Sequence, residues 1–69
     1  MKFKKVRSGA SAEWKSTAKK GNYYISRFTS YSVSYEVTFL NDDGTPTILG
    51  TDLQYLRDAK EIAENYELN

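Results

Sequence analysis

The sequence predicts a small α+β domain: a three- to four-stranded antiparallel meander with one C-terminal helix packed on one face (β-β-β-(β)-α). Three observations predict it. Tyr31, Val33, Tyr35, Val37 and Phe39 alternate with Ser32, Ser34, Glu36 and Thr38, the period of two that marks a half-buried strand. Asn41-Asp42-Asp43-Gly44 follows directly, a hairpin signal in which glycine suits a left-handed turn position. From Leu53 onward the period changes. Leu53, Leu56, Ala59, Ala63 and Tyr66, flanked by Ile62, recur at three and four residues, which is one apolar stripe of a helix.

The elements follow in chain order. Residues 1–11 read as a basic N-terminal arm ending in Ser8-Gly9-Ala10-Ser11, and residues 12–69 as a single α+β domain. Glu13-Trp14-Lys15-Ser16-Thr17 alternates around one large ring and suits a short strand. Lys19-Lys20-Gly21-Asn22 is a turn, with Gly and Asn tolerating positive φ. Tyr23 to Thr29 is a second strand, and Thr29-Ser30 offers a tight reversal into the strand Tyr31–Leu40. Thr45 to Leu49 is a short strand that Pro46 confines to a sheet edge or delays past the proline. Thr51 or Asp52 is a good helix N-cap, and Thr51-x-x-Gln54 fits a capping box.

A chain of 69 residues makes one domain and buries only about 60% of its unfolded surface. Aromatic residues are 14% of the chain, and large rings supply much buried area to a small core. Neither cysteine nor histidine is present. That removes disulfides, thiolate metal sites, the Cys nucleophile, the commonest general base and the commonest metal ligand. There is no Gly-rich phosphate loop and no metal-ligand cluster. Asn41-Asp42-Asp43-Gly44 lacks the acid spacing and distal Glu of a calcium loop. A non-enzymatic protein is expected, with no cofactor, no metal and no small-molecule substrate. No apolar run reaches the roughly 18–20 residues of a membrane span, and the basic N-terminus lacks the apolar region of a signal peptide. A cytoplasmic protein without a membrane partner is expected.

Charge is sorted by position. Residues 1–27 carry eight lysines and arginines against one acid, Glu13, a net of +7. Residues 28–69 carry Arg57 and Lys60 against eight acids, a net of −6. Such a split in a short chain points to one electropositive surface with an anionic partner. Lys15, Lys19, Lys20 and Arg27 lie on or beside predicted strands, interleaved with Trp14, Tyr23, Tyr24 and Phe28. Cations neutralise phosphates and rings stack on bases or sugars. Lys4, Lys5 and Arg7 extend this set into the arm, which would track phosphates. The candidate nucleic-acid contacts are therefore Lys4, Lys5, Arg7, Lys15, Lys19, Lys20, Tyr24 and Arg27. Parity puts Tyr24 and Phe28 on the face opposite Tyr23 and Ile25, although a bulge near Arg27 would turn Phe28 inward. On the helix, Asp58, Glu61 and Glu64 form a solvated acidic face. Those three are the candidate contacts in the alternative reading, a partner protein.

The order of elements resembles the small N-terminal DNA-binding domain of tyrosine-recombinase integrases from phages and conjugative transposons. The resemblance rests on Tyr23-Tyr24-Ile25-Ser26-Arg27-Phe28, Tyr35-Glu36-Val37-Thr38-Phe39, the Asp42-Asp43-Gly44 turn, Leu49-Gly50, and the helix from Thr51 to Glu64. It implies a three-stranded sheet that enters the major groove, backed by a C-terminal helix. The same outline is similar to small phage and prophage proteins, some of which block host defence as anti-CRISPR proteins do. That likeness implies binding to a host protein, through the acidic helix face or an exposed aromatic edge.

Overall fold

The computed structural model describes all residues, Met1–Asn69. Five strands precede one helix: β1 (Lys4–Arg7), β2 (Glu13–Thr17), β3 (Asn22–Phe28), β4 (Ser34–Leu40), β5 (Pro46–Leu53) and α1 (Leu56–Leu68). The strands form one antiparallel sheet in the order β1-β2-β3-β4-β5. The α+β class and the meander are as the sequence predicts, with one strand more than the upper expectation.

The turns follow from their residues. Between β2 and β3, Gly21 takes φ 151, and the Ala18 and Gly21 backbones exchange hydrogen bonds of 2.8 and 3.2 Å. A Cβ at Gly21 would lie 3.1 Å from the Phe39 ring, so the position is tight as well as unusual in φ. Between β4 and β5, Gly44 takes φ 88. The Asp43 carboxylate accepts from the Thr45 amide at 3.0 Å and from its hydroxyl at 2.6 Å. These Thr45 hydrogen bonds, the hydroxyl's first, hold the Asp43 carboxyl below the usual carboxylate range.

Trp14, Ser16, Tyr23, Ile25, Val37 and Phe39 are buried and alternate along β2, β3 and β4. They share the face on which α1 sits. The helix packs against β3, β4 and β5 and presents Ala59 and Ala63, both fully buried. Small side chains allow a close approach, and Gly50 of β5 continues this logic. A Cβ there would come within 2.9 Å of Ile62 Cδ1. Tyr23, Phe39 and Tyr66 form a ring cluster with centroid separations of 5.0, 5.2 and 6.2 Å. Phe3 packs against the core beside these elements, and the Met1 amino group pairs with Glu64 at 3.2 Å.

Several boundaries differ from the sequence expectation. Residues 4–7 of the expected arm are a sheet strand, paired Lys4 to Lys15 and Lys5 to Trp14. An edge strand needs only backbone pairing, so its exposed side chains carry no apolar signal. β4 begins at Ser34, and residues 29–33 form a loop with Tyr31 fully exposed. β5 runs on through Leu53, which pairs with Tyr35 and packs on the core. The helix consequently starts at Leu56. Its N-cap is Tyr55, which makes no side-chain capping bond, and Asp52, next to last in β5, holds φ 56. The expected capping box is not formed. Pro46 opens β5 on the sheet edge, as its missing N–H requires.

Candidate nucleic-acid interface

A meander in sequence order converts a charge split along the chain into one across the sheet. The basic half becomes β1, β2 and β3 on one flank. The acidic half becomes β4, β5 and the helix on the other. The polarity is therefore lateral, with its positive end at the β1 edge, where Lys4, Lys5 and Arg7 are all exposed.

Register decides which face each cation occupies. Lys4, Lys15, Tyr24, Thr38 and Ile48 form one cross-strand row on the face away from the helix. Lys15 Nζ lies 5.7 Å from the Tyr24 ring centroid. The next row contains Glu13, Ser26 and Glu36, with Arg7 opposite Glu13 beyond a bulge in β1. Ser26 Oγ is 3.5 Å from Glu13 Oε2. Phe28 lies on the same face opposite Ser34 and is 48% exposed. The pairing of β3 with β2 and β4 is regular, so no bulge turns Phe28 inward.

Lys5 and Arg27 lie on the helix side. Lys5 is opposite Trp14, and its Nζ sits 5.3 Å from the indole centroid. The Arg27 guanidinium carbon sits 5.9 Å from the same ring. Arg27 Nη2 donates to the Gly9 carbonyl at 2.7 Å, while its Nε is buried without a partner. Its sequence parity, shared with Tyr23 and Ile25, is the signal that separates it from Tyr24.

Lys19 and Lys20 occupy the β2–β3 turn, at the far end of the sheet beside the helix C-terminus. Lys20 Nζ donates to the carbonyls of Tyr66 and Asn69, the former at 2.8 Å. It also stands 5.0 Å from the Tyr66 ring centroid. The Lys20 amide donates to the Glu67 carboxylate at 3.2 Å. Lys20 thus supplies the cation that the helix lacks in its own last turn, where carbonyl partial charges favour one. The tertiary contact spans the whole fold and has no local sequence signature.

The expected contacts therefore divide into three places. Lys4 and Lys15 share the open face with Tyr24, and Arg7 stands at the edge beside them. Lys5 and Arg27 flank Trp14 behind the sheet. Lys19 and Lys20 stand at the turn. The alternative set on the helix divides too: Asp58 and Glu61 are exposed to solvent, whereas Glu64 holds the Met1 amino group. That is the single ion pair in the molecule, and no lysine or arginine side chain is paired to a carboxylate. Uncompensated cations keep their field for a ligand. The surface contains no pocket, no grouping of acids fit to hold a metal, and no helix long and apolar enough to cross a membrane. Comparison with protein-family models, with curated proteins and with solved structures finds no match.

Proposed function

We propose that this chain is a non-enzymatic binding module of phage or mobile-element type that contacts nucleic acid through the β1–β2 flank of its sheet. The observation that carries the reading is the row Lys4–Lys15–Tyr24 with Arg7 alongside: cations free of carboxylate partners, next to a ring on the open face. Lys5 adds a charge on the other side of the same edge strand. An edge with cations on both sides reaches phosphates from two directions, and each neutralised phosphate releases counterions. Lys20 is engaged with the helix terminus and falls outside the contact set.

The test is fluorescence anisotropy of labelled mixed-sequence duplex and single strands at low salt, with the wild type and the Lys4→Glu/Lys15→Glu variant. The wild type binds, and the double reversal abolishes the signal while the far-UV circular dichroism stays unchanged. Absence of wild-type binding to every probe at low salt would overturn the reading.

A protein partner is the second reading. It is favoured by the exposure of Phe28, Tyr31, Val33 and Tyr55, which gather at the end of the sheet formed by the β3–β4 loop and the β5–α1 junction. Aromatic side chains are enriched where proteins meet. A partner that survives nuclease treatment and is lost with Tyr31→Ser/Val33→Ser would support this second reading.

A further inference from the structure

We infer that the open sheet face takes an unpaired strand with its bases turned toward β3, and that a duplex is the poorer ligand. The inference rests on the nucleic-acid reading above. It starts from the arrangement of charge within the face. Cations occupy only its β1–β2 side, at Lys4 and Lys15, with Arg7 at the β1 edge opposite Glu13. Its centre is the row Glu13–Ser26–Glu36, in which neither carboxylate is paired with a lysine or arginine. A duplex lying flat across the sheet would bring phosphates onto Glu13 and Glu36, and like charges at close range repel. A single strand avoids this by running its phosphates along the Lys4–Lys15 side and turning its bases inward.

The inward surface fits bases. Tyr24 and Phe28 stand four residues apart on β3 and project to the same face. At about 3.3 Å per strand residue their separation is about 13 Å. That is several times the roughly 3.4 Å step between stacked bases, so each ring receives its own base from an unstacked strand. Aromatic stacking of this kind accepts any base. The carboxylates between the rings add selectivity. An unpaired guanine offers two parallel N–H donors on its Watson–Crick edge, which suit a carboxylate, whereas a duplex has them already engaged. Thymine offers one such donor beside two acceptors, and carboxylates repel acceptors. The surface therefore favours single strands containing guanine over oligothymidine.

The experiment compares three labelled probes of equal length at low salt: oligothymidine, an alternating thymidine–guanosine strand, and a blunt duplex of mixed sequence. The expected order is thymidine–guanosine strand, then oligothymidine, then duplex, with the first about tenfold or more tighter than the last. Phe28→Ala lies on an exposed side chain and keeps the fold. It weakens both single strands about tenfold and leaves the duplex unchanged. Glu13→Gln/Glu36→Gln removes the guanine preference while tightening oligothymidine, a sign reversal that loss of folding cannot mimic. A duplex bound as tightly as the strands, with Lys4 and Lys15 still required, overturns the single-strand inference and leaves the nucleic-acid reading standing. No binding by any probe overturns both.

Discussion

The buried Tyr23 hydroxyl donates to Glu67 Oε1 at 2.7 Å and so joins β3 to the last turn of α1. Burial first, and then the Glu67 hydrogen bond and charge, push the Tyr23 phenol above the ordinary tyrosine value. The same hydrogen bond is the main cause that holds Glu67 below the usual carboxylate range. The amides of Lys20 and Lys19 and the Lys20 charge assist, and partial burial opposes.

Stability follows pH from these two shifts and from that of Asp43. A carboxyl lowered by folding stabilises above its unfolded value and loses that contribution as pH falls through the folded one. A phenol raised by folding stabilises fully below its unfolded value and loses that contribution as pH rises through the folded one. The melting temperature should therefore be flat near neutrality, fall on the acid side through Glu67 together with Asp43, and fall again at strongly alkaline pH through Tyr23. Tyr23→Phe should remove the Tyr23 limb and shrink the acid limb by the Glu67 share, leaving that of Asp43. Thermal melts across pH check this, and a variant with the wild-type acid limb would remove Glu67 from the account.

Lys20→Met tests the tertiary cap on the helix. With no basic residue in the last turn of α1, the Lys20 ammonium is the cation that meets the carbonyls of Tyr66 and Asn69. Its loss should cost about 0.3–1 kcal/mol, read as a lower urea midpoint at unchanged slope. Nucleic-acid affinity should hold, because the Lys20 ammonium is engaged with the helix terminus and stands outside the Lys4–Lys15–Tyr24 row.

Gly50→Ala tests the closeness of the helix to β5. The new Cβ would meet Ile62 Cδ1 at 2.9 Å, with the Leu53 and Val37 methyls next at 3.4 and 3.5 Å. Ile62 Cδ1 is the end of a side chain and can turn aside, so the cost should be modest, about 1–3 kcal/mol as for other overpacked sites. Adding Ile62→Val removes the clashing methyl and should recover part of that loss. If the double variant is no more stable than Gly50→Ala alone, the strain lies in the backbone.

The sequence was most readable where side chains alternate against a core. Tyr35, Val37 and Phe39 announced β4, and Ala59, Ala63 and Tyr66 announced the helix. It misled where apolar residues kept a period without a core beneath them. Tyr31 and Val33 continue the β4 alternation on paper but stand exposed in the β3–β4 loop. Leu53 is spaced from Leu56 as in a helix, yet it closes β5 against Tyr35. Capping chemistry put the helix N-cap at Thr51 or Asp52, and strand pairing overrode it. β1 gave no apolar signal, because the side chains of Lys4, Lys5, Val6 and Arg7 are all exposed and the strand joins the sheet by backbone pairing.

The candidate site was legible as a set of residue types and illegible as a place. Arg27 was grouped with Tyr24 by proximity in sequence, although strand parity assigns it to the Trp14 side. Lys20 could be assigned only once the helix C-terminus was seen beside the β2–β3 turn. Single-residue proximity carries no face information in a sheet, whereas register does.

The division of cations makes the salt dependence of binding a residue-resolved test. On a logarithmic plot, affinity falls with salt at about 0.7 per neutralised phosphate for single strands and about 0.9 for duplex. Removing Lys4 and Lys15 together by substitution with glutamine should lower the slope by about 1.4 on a single-strand probe. Lys20→Met should leave the slope at its wild-type value, and so should Asp58→Asn, which lies on the opposite flank. Lys5 is the informative intermediate. It belongs to the same edge strand as Lys4 but points to the helix side over Trp14. A strand that wraps the β1 edge loses slope with Lys5→Gln, whereas one confined to the open face does not. Trp14 is the only tryptophan in the chain, so a change in its fluorescence on binding reports the same event independently. Equal slope losses from Lys4, Lys15 and Lys20 would mean that net charge alone governs binding, and the β1–β2 flank would lose its claim to be the interface.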